Sequence, residues 1–162
     1  MQAPRQIEPT GLADYLEVMT KAVFQSGISW RVVEAKWDGF REAFAGFDPA
    51  TVAAFTGDDI DRLVEDAGII RNRRKIEATI TNAEAMLALD GGPGGFTGWL
   101  RSHADFDASV AALRGEFRFL GDTGTYFFLY VVGERVPPHE EWMRAHESTA
   151  HRPSARRPAR KT

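Results

Sequence analysis

The chain has 162 residues, of which 43% are hydrophobic and 27% are charged, and these values fit one globular domain with a sizeable core. It contains no cysteine, which excludes disulfides, thiolate metal sites and a cysteine nucleophile. No uncharged apolar run approaches the roughly 20 residues of a membrane-spanning helix, and the first residues lack the apolar segment of a signal peptide. We therefore expect a cytoplasmic protein without a membrane partner.

Charge is distributed unevenly along the chain. The formal net charge is -3, but residues 1–150 carry -8, because the last twelve residues hold five of the 20 Lys and Arg side chains and no acid. This tail, 151–162, also contains Pro153 and Pro158, and we expect it to be disordered. A basic tail on an acidic domain is typical of an arm that binds nucleic acid, and a solvated terminus without function is the alternative interpretation.

Helical periodicity dominates the first half of the chain. Apolar residues three and four positions apart predict four helices, the first over 11–25, the second with Trp37 and Phe40 on one continuous apolar face, and the third over 49–55. Each begins behind a residue of a type that caps helix N-termini. The four expected caps are Thr10, Ser29, Asp48 and Thr56.

The second half of the chain is also predicted to be helical. A long helix is expected over 71–89, followed by a glycine-rich loop and two short helices. Segment 125–132 is apolar on all faces and would also suit a buried strand, but without a partner strand we favour a buried helix. A last helix starts at His139. The sequence therefore predicts an all-α orthogonal bundle that forms one domain over 1–150.

A glycine-containing turn separates two of these helices at 119–124, which read FLGDTG. The spacing resembles the helix-hairpin-helix of DNA repair proteins, in which the amides at the start of the second helix bind a DNA phosphate. On this interpretation Gly121, Thr123 and Gly124 contact the DNA backbone. A plain turn between two helices is the alternative.

Three segments carry a longer and more specific pattern. They are FQSGISW at 24–30, FREAFAGFDPATVAAFT at 40–56 and DDIDRLVEDAGIIRNRRKIEATITNAEA at 58–85. In order and separation they resemble the Q-A-G-L-S-W, F-x-x-F-D-P-x-x-V-A and D-x-x-R-L-x-x-D-x-G-I-I-R-x-x-x-K-I segments of the DNA-3-methyladenine glycosylase I family. Residues 117–121 also resemble the hairpin of that family, so the resemblance extends over 12–139.

The resemblance implies an all-helical fold of the helix-hairpin-helix glycosylase superfamily and the removal of N3-methylated adenine from duplex DNA by base flipping. Methylation at N3 places a positive charge on the base, so the base leaves as a neutral molecule and needs less acid catalysis. The protein has to extrude the nucleotide, hold the cationic base against aromatic rings and let water capture the sugar. We expect a monomer that binds double-stranded DNA with alkylated bases and uses no cofactor.

The same resemblance assigns roles to residues of the 24–30 segment. Trp30 matches the pocket tryptophan of the family, and we expect Phe24 and Gln25 to contact the base with it. Gly27 and Ile28 match the loop that enters the duplex, where Ile28 would fill the gap left by the flipped base. Without the flanking match, Trp30 would be interpreted as a core aromatic residue.

A basic cluster lies near the start of the predicted long helix. It comprises Arg71, Arg73, Arg74 and Lys75. We predict that Arg71, Arg73 and Lys75 contact the DNA backbone, and a solvated charged face is the alternative interpretation.

The chain departs from the family at the zinc site and at two carboxylates. The family segments that precede the first helix, which supply pocket aromatics and half of a zinc site, have no counterpart here. Only His139 falls where a zinc-binding histidine belongs, so zinc is not expected. The pocket glutamate of the family is replaced by Ala22, and the aspartate of the wider superfamily is replaced by Pro137.

Three other carboxylates are candidates for a catalytic role, namely Glu17, Glu140 and Glu141. Glu17 lies four residues before Lys21, so a surface ion pair is the alternative. Glu140 and Glu141 would suit the first turn of a helix whatever their function. Because neither family carboxylate is retained, a protein that binds alkylated or distorted DNA without excising a base is the alternative to an active glycosylase.

Overall fold

Short helices joined by short turns make up the computed structural model, which describes residues 3–150 and their side chains as far as His146. The described part has no strand, which confirms the predicted all-α fold. Its elements are α1 (Leu12–Gln25), α2 (Trp30–Ala35), α3 (Trp37–Ala43), a 3-10 turn (Ala45–Phe47), α4 (Pro49–Ala53), α5 (Gly57–Val64), α6 (Arg73–Asp90), α7 (Gly95–Leu100), α8 (Phe106–Glu116), α9 (Asp122–Val131) and α10 (His139–Ala150).

Two earlier expectations can be compared with these helices. Segment 125–132 falls in and directly after α9, a helix rather than a strand. No helix of residues 3–150 is long and apolar enough to cross a membrane. The basic tail, 151–162, and its predicted disorder lie outside the described residues.

Two of the four predicted N-caps form as expected. The Asp48 carboxylate accepts a hydrogen bond from the amide of Thr51 at 3.1 Å. Thr56 and Asp59 form a reciprocal capping box, in which each side chain accepts a hydrogen bond from the other residue's amide. These caps fix the starts of α4 and α5.

The predicted cap at Thr10 is wrong, and the one at Ser29 is correct only in its position. The N-cap residue of α1 is Gly11, and the amide and hydroxyl of Thr10 instead donate to the carboxylate of Asp14. Ser29 does occupy the N-cap position of α2, but its side chain accepts no capping hydrogen bond. Neither α1 nor α2 therefore begins with a hydrogen bond from a backbone amide to the predicted cap side chain.

The predicted continuous second helix is also wrong, because it is interrupted at Lys36. This residue has φ -103° and ψ 4°, outside helical values, and it separates α2 from α3. The interruption lets α3 approach the turn at Gly68, where a Cβ placed on Gly39 would lie 2.1 Å from the Gly68 carbonyl oxygen. Only glycine allows this contact between backbones.

Aromatic rings form the core around α3 and hold the last helix. Trp37 stacks on Phe40 and Phe47 at centroid distances of 4.9 and 5.3 Å. At the other end of the chain, Tyr126 of α9 stacks on Trp142 of α10 at 4.2 Å, and Trp142 stacks on His146 at 3.6 Å. The last helix is therefore packed directly onto α9.

We predict that Gly39→Ala destabilises the fold, because the added methyl would overlap the backbone carbonyl of Gly68. Overpacking of this kind costs about 3 kcal/mol, so the melting temperature should fall by several degrees. Gly115→Ala is the matched control, because Gly115 lies in α8 with no atom within 4 Å of an added Cβ. The control should be neutral or slightly stabilising, and equal losses in both variants would contradict the proposed close contact.

Candidate nucleic-acid interface

Strongly exposed large apolar side chains come from only two segments of the described chain. Trp30 and Val32, at the start of α2, are 50% and 45% exposed, and Phe119, in the turn before α9, is 43% exposed. These are the segments in which the sequence placed the pocket tryptophan and the hairpin. Both segments are therefore candidates for a contact with another molecule, because the sequence had singled them out independently of their exposure.

The loop between α1 and α2 is built around Gly27. Its φ of +75° is left-handed, and an added Cβ would meet no atom within 4 Å, so glycine is required there by the backbone rather than by crowding. Ile28 is half-buried and packs against the core. Ile28, which is expected to enter the duplex, is therefore partly packed into the protein in this structure, whereas the neighbouring Gly27 is exposed.

Lys75 of α6 fixes the start of this loop. Its ammonium group donates hydrogen bonds to the carbonyls of Phe24 at 3.1 Å and Ser26 at 2.5 Å. Only 4% of the residue is exposed, and burial lowers the pKa of the lysine. The two carbonyls belong to the C-terminal end of α1, where the helix dipole stabilises a cation.

Asn82 fixes the second segment from the same helix. Its side-chain amide accepts from the Arg118 amide at 2.8 Å and donates to the Arg118 carbonyl at 3.2 Å. Asn82 is 1% exposed. Lys75 and Asn82 are seven residues apart, which places them on one face of α6 and about 10 Å apart along its axis.

Phe119, the next residue, has a left-handed backbone with φ +59°. This conformation costs a residue other than glycine about 1–2 kcal/mol. Phe47, which also has a positive φ, is fully buried among stacked rings, whereas Phe119 is exposed. The strain at Phe119 therefore has no comparable gain in packing.

The start of α9, which follows the hairpin directly, has backbone amides without a side-chain cap. Gly121 is its N-cap residue and is exposed, and no side chain caps the helix. The amides of the first turn, which include those of Thr123 and Gly124, have no acceptor within the helix. Asp122, also in this turn, is paired with Arg114 at 2.8 Å, which offsets its negative charge.

The Trp30 ring has a cationic neighbour. The guanidinium of Arg31 lies 5.8 Å from the centroid of the Trp30 ring, so one face of the ring already attracts a cation.

Ala22, at the position of the family glutamate, is buried, and a Cβ on Gly124 would lie 3.7 Å from its methyl group. Pro137, at the position of the superfamily aspartate, accepts a hydrogen bond from the Tyr126 hydroxyl through its carbonyl.

Two of the predicted site residues are not available to DNA in this structure. Phe24 is fully buried and packs edge-on against Phe40 at 4.7 Å, so it is a core residue here and not a base contact. Lys75 is buried as described above, so its ammonium group does not face a phosphate. Gln25, at the end of α1, is half-buried beside the loop.

The arginines of the basic cluster lie on the surface. Arg71 and Arg74 are exposed. Arg73 binds Asp61 at 2.8 Å and lies 3.7 Å from Glu77, and its hydrogen bond with Asp61 raises the pKa of its guanidinium. Arg73 therefore has carboxylate partners in place of a phosphate.

The carboxylate candidates differ in their environment. The alternative interpretation of Glu17, an ion pair with Lys21, is wrong, because Lys21 binds Glu34 at 2.7 Å. Glu17 instead accepts hydrogen bonds from the indole of Trp37 at 2.8 Å and from Arg41 at 2.6 Å. Glu17 therefore joins α1 to α3. Helical spacing within α1 could not predict this, because both partners lie in α3.

Glu140 and Glu141 lie exposed in the first turn of α10. The structure gives neither of them a hydrogen bond or ion pair that would aim it at the Trp30 segment. They stay candidates for a catalytic role on position in the chain alone.

The residues present do not fit the zinc site that the family implies. The chain has no cysteine, and no three His, Asp or Glu side chains of the described part are grouped as metal ligands. The ring of His139 lies against Tyr130 at 5.4 Å and Tyr126 at 6.2 Å. His139, the residue at the zinc-ligand position of the family, therefore makes aromatic contacts here.

Comparison with known proteins gives consistent relatives. Residues 11–115 match the methyladenine glycosylase family. DNA-3-methyladenine glycosylase 1 of Escherichia coli (strain K12) is 35% identical over 130 residues, and DNA-3-methyladenine glycosylase of Haemophilus influenzae is 33% identical over 130 residues. Both alignments cover 67% of this chain and 70% of the relative.

A solved structure supports the same assignment. The crystal structure of a 3-methyladenine DNA glycosylase I superposes with a TM-score of 0.68 at 30% identity, over 78% of this chain and 81% of the other. The predicted family and fold are confirmed. This chain belongs to the methyladenine glycosylase family of DNA repair glycosylases.

Proposed function

We propose that this protein releases 3-methyladenine from double-stranded DNA by base flipping. The observation that carries the proposal is the half-exposed ring of Trp30, held directly behind a loop that Lys75 anchors, in a chain of this family. Release of free 3-methyladenine from methylated duplex DNA by the purified protein is the direct test.

The proposed reaction is dissociation of a cationic base followed by capture of the sugar. The bond between C1′ and the base breaks, and its electron pair neutralises the positive charge on the base. Water then attacks C1′ and loses a proton. Trp30 would stack on the extruded base, since the face of an indole ring stabilises a cation, as its contact with Arg31 illustrates.

The two exposed segments would have separate tasks on DNA. Gly27 and Ile28 would enter the duplex, which requires half-buried Ile28 to turn outward and fill the gap left by the base. Gly121, Thr123 and Gly124 would bind a phosphate through the free amides at the start of α9. Arg71, which is exposed, would add a contact to the backbone.

Binding of damaged DNA without excision is the second candidate function. It is favoured by Ala22 and Pro137, which stand where the family and the superfamily have carboxylates. Tight binding to methylated duplex without release of a base would support it. The cytoplasmic location and the monomeric state stay predictions.

Trp30→Ala should lower excision of 3-methyladenine by about ten- to a hundredfold, because stacking of one base on an aromatic ring contributes roughly 1–3 kcal/mol. The melting temperature should change little, since half of this side chain is already exposed. Trp30→Phe is the matched control, as it keeps a ring to stack on and should retain most of the activity. Full activity of Trp30→Ala would remove Trp30 from the site.

Charge on the base should decide which lesions are released. A neutral lesion such as hypoxanthine needs a proton to leave, and Ala22 and Pro137 supply no acid. Single-turnover assays should therefore show much faster release of 3-methyladenine than of hypoxanthine. Equal rates would demand a general acid, and Glu140→Gln and Glu141→Gln would then show whether either residue supplies it.

Lys75→Met should lower excision by loosening the loop that carries Gly27 and Ile28. A hydrogen bond to a charged group contributes about 1.5–3 kcal/mol, so amide hydrogen exchange over 26–30 should accelerate by roughly tenfold or more. Lys36→Met is the matched control, because Lys36 also donates to a backbone carbonyl, that of Ala67 at 2.9 Å, away from this loop. Unchanged exchange over 26–30 in Lys75→Met would contradict the anchoring role.

A further inference from the structure

Phe119 combines three properties that a residue in a plain turn has no reason to combine. It is aromatic, it is exposed, and its backbone occupies the left-handed region that favours glycine. Its neighbours Phe117 and Leu120 are buried. The hairpin thus packs its flanking apolar residues inward and presents this ring to solvent.

The conformation of Phe119 is imposed from outside the hairpin. Asn82 binds both the amide and the carbonyl of Arg118, so the backbone that enters Phe119 is fixed by a buried side chain of α6. A left-handed residue that its surroundings hold in place is a conformation often found at functional sites. Glycine at this position would satisfy the same hydrogen bonds without strain.

The ring lies next to groups suited to a nucleic-acid backbone. Arg118, which precedes it, is exposed, and the uncapped amides of α9 begin three residues after it. The face of α6 that fixes Arg118 also fixes the Trp30 loop through Lys75. Both segments are therefore held from one face of α6, by two side chains that lie about 10 Å apart along the helix axis.

We propose that Phe119 is a second aromatic DNA contact, packing on the sugar and base of a nucleotide beside the phosphate that the α9 amides bind. The inference rests on the proposed function for its choice of duplex DNA as the partner. It assigns to the hairpin an apolar contact in addition to the phosphate contact of its amides. The strained backbone of Phe119 is then explained by the position that the ring has to reach.

Paired substitutions separate the ring from the strain. Phe119→Gly removes both, whereas Phe119→Ala removes the ring and keeps the strain. We expect Phe119→Gly to melt no lower than the wild-type protein and a few degrees above Phe119→Ala. Both variants should bind a short duplex with a tetrahydrofuran abasic-site analogue roughly tenfold more weakly, measured by fluorescence anisotropy. Phe119→Tyr keeps the ring and should restore binding.

The outcomes distinguish this inference from the proposed function. Phe119→Gly that is less stable than wild type would make Phe119 a packing residue, and Phe119→Gly that binds the duplex as tightly as wild type would remove it from the interface. Either result overturns the inference while wild-type release of 3-methyladenine upholds the proposed function. Weakened binding by the variants, with no base release by wild type, would leave the inference standing and refute the enzyme activity. A wild-type protein that does not bind the duplex would overturn both.

Discussion

One face of α6 determines where the two exposed segments of this protein lie. Lys75 and Asn82 bury polar groups that would destabilise the fold if unpaired, and each instead binds backbone atoms of a loop distant in sequence. The loops therefore need little packing of their own, and Trp30 and Phe119 can remain exposed. Under the proposed function, such an interface would keep its apolar groups in water and take its rigidity from α6.

Much of the fold could be predicted from local sequence, and the anchoring of the site could not. The caps at Asp48 and Thr56 and the buried helix at 125–132 depend on neighbouring residues, so the sequence shows them. The bonds of Lys75 reach 49 and 51 residues along the chain, and those of Asn82 reach 36. The sequence did contain a sign of this anchoring, because the polar residues Lys75, Thr79 and Asn82 follow helical spacing and lie on a buried face of α6. We nevertheless assigned Lys75 to the exposed basic cluster, since it follows Arg73 and Arg74 directly in the sequence.

The replaced carboxylates bear on selectivity under the proposed function. Undamaged adenine and guanine are neutral in DNA, and their departure requires protonation by an acid. A site with Ala22 and Pro137 at these positions lacks the group that would assist such a departure from there. Discrimination would then arise from the leaving-group chemistry of the base itself. The protein would gain little from recognising the methyl group and much from tolerating a cation against Trp30.

The stack of Tyr126, Trp142 and His146 has a consequence for the basic residues 151–162. Because Tyr126 belongs to α9, the stack sets the position of α10, and with it the anchor point at Ala150, relative to the amides that would hold a phosphate. Under the proposed function, the basic residues 151–162 would supply additional contacts to DNA bound at α9. Groups joined covalently to a bound protein act at an effective concentration on the order of millimolar, so even weak cation–phosphate contacts from 151–162 would lengthen the residence time on DNA.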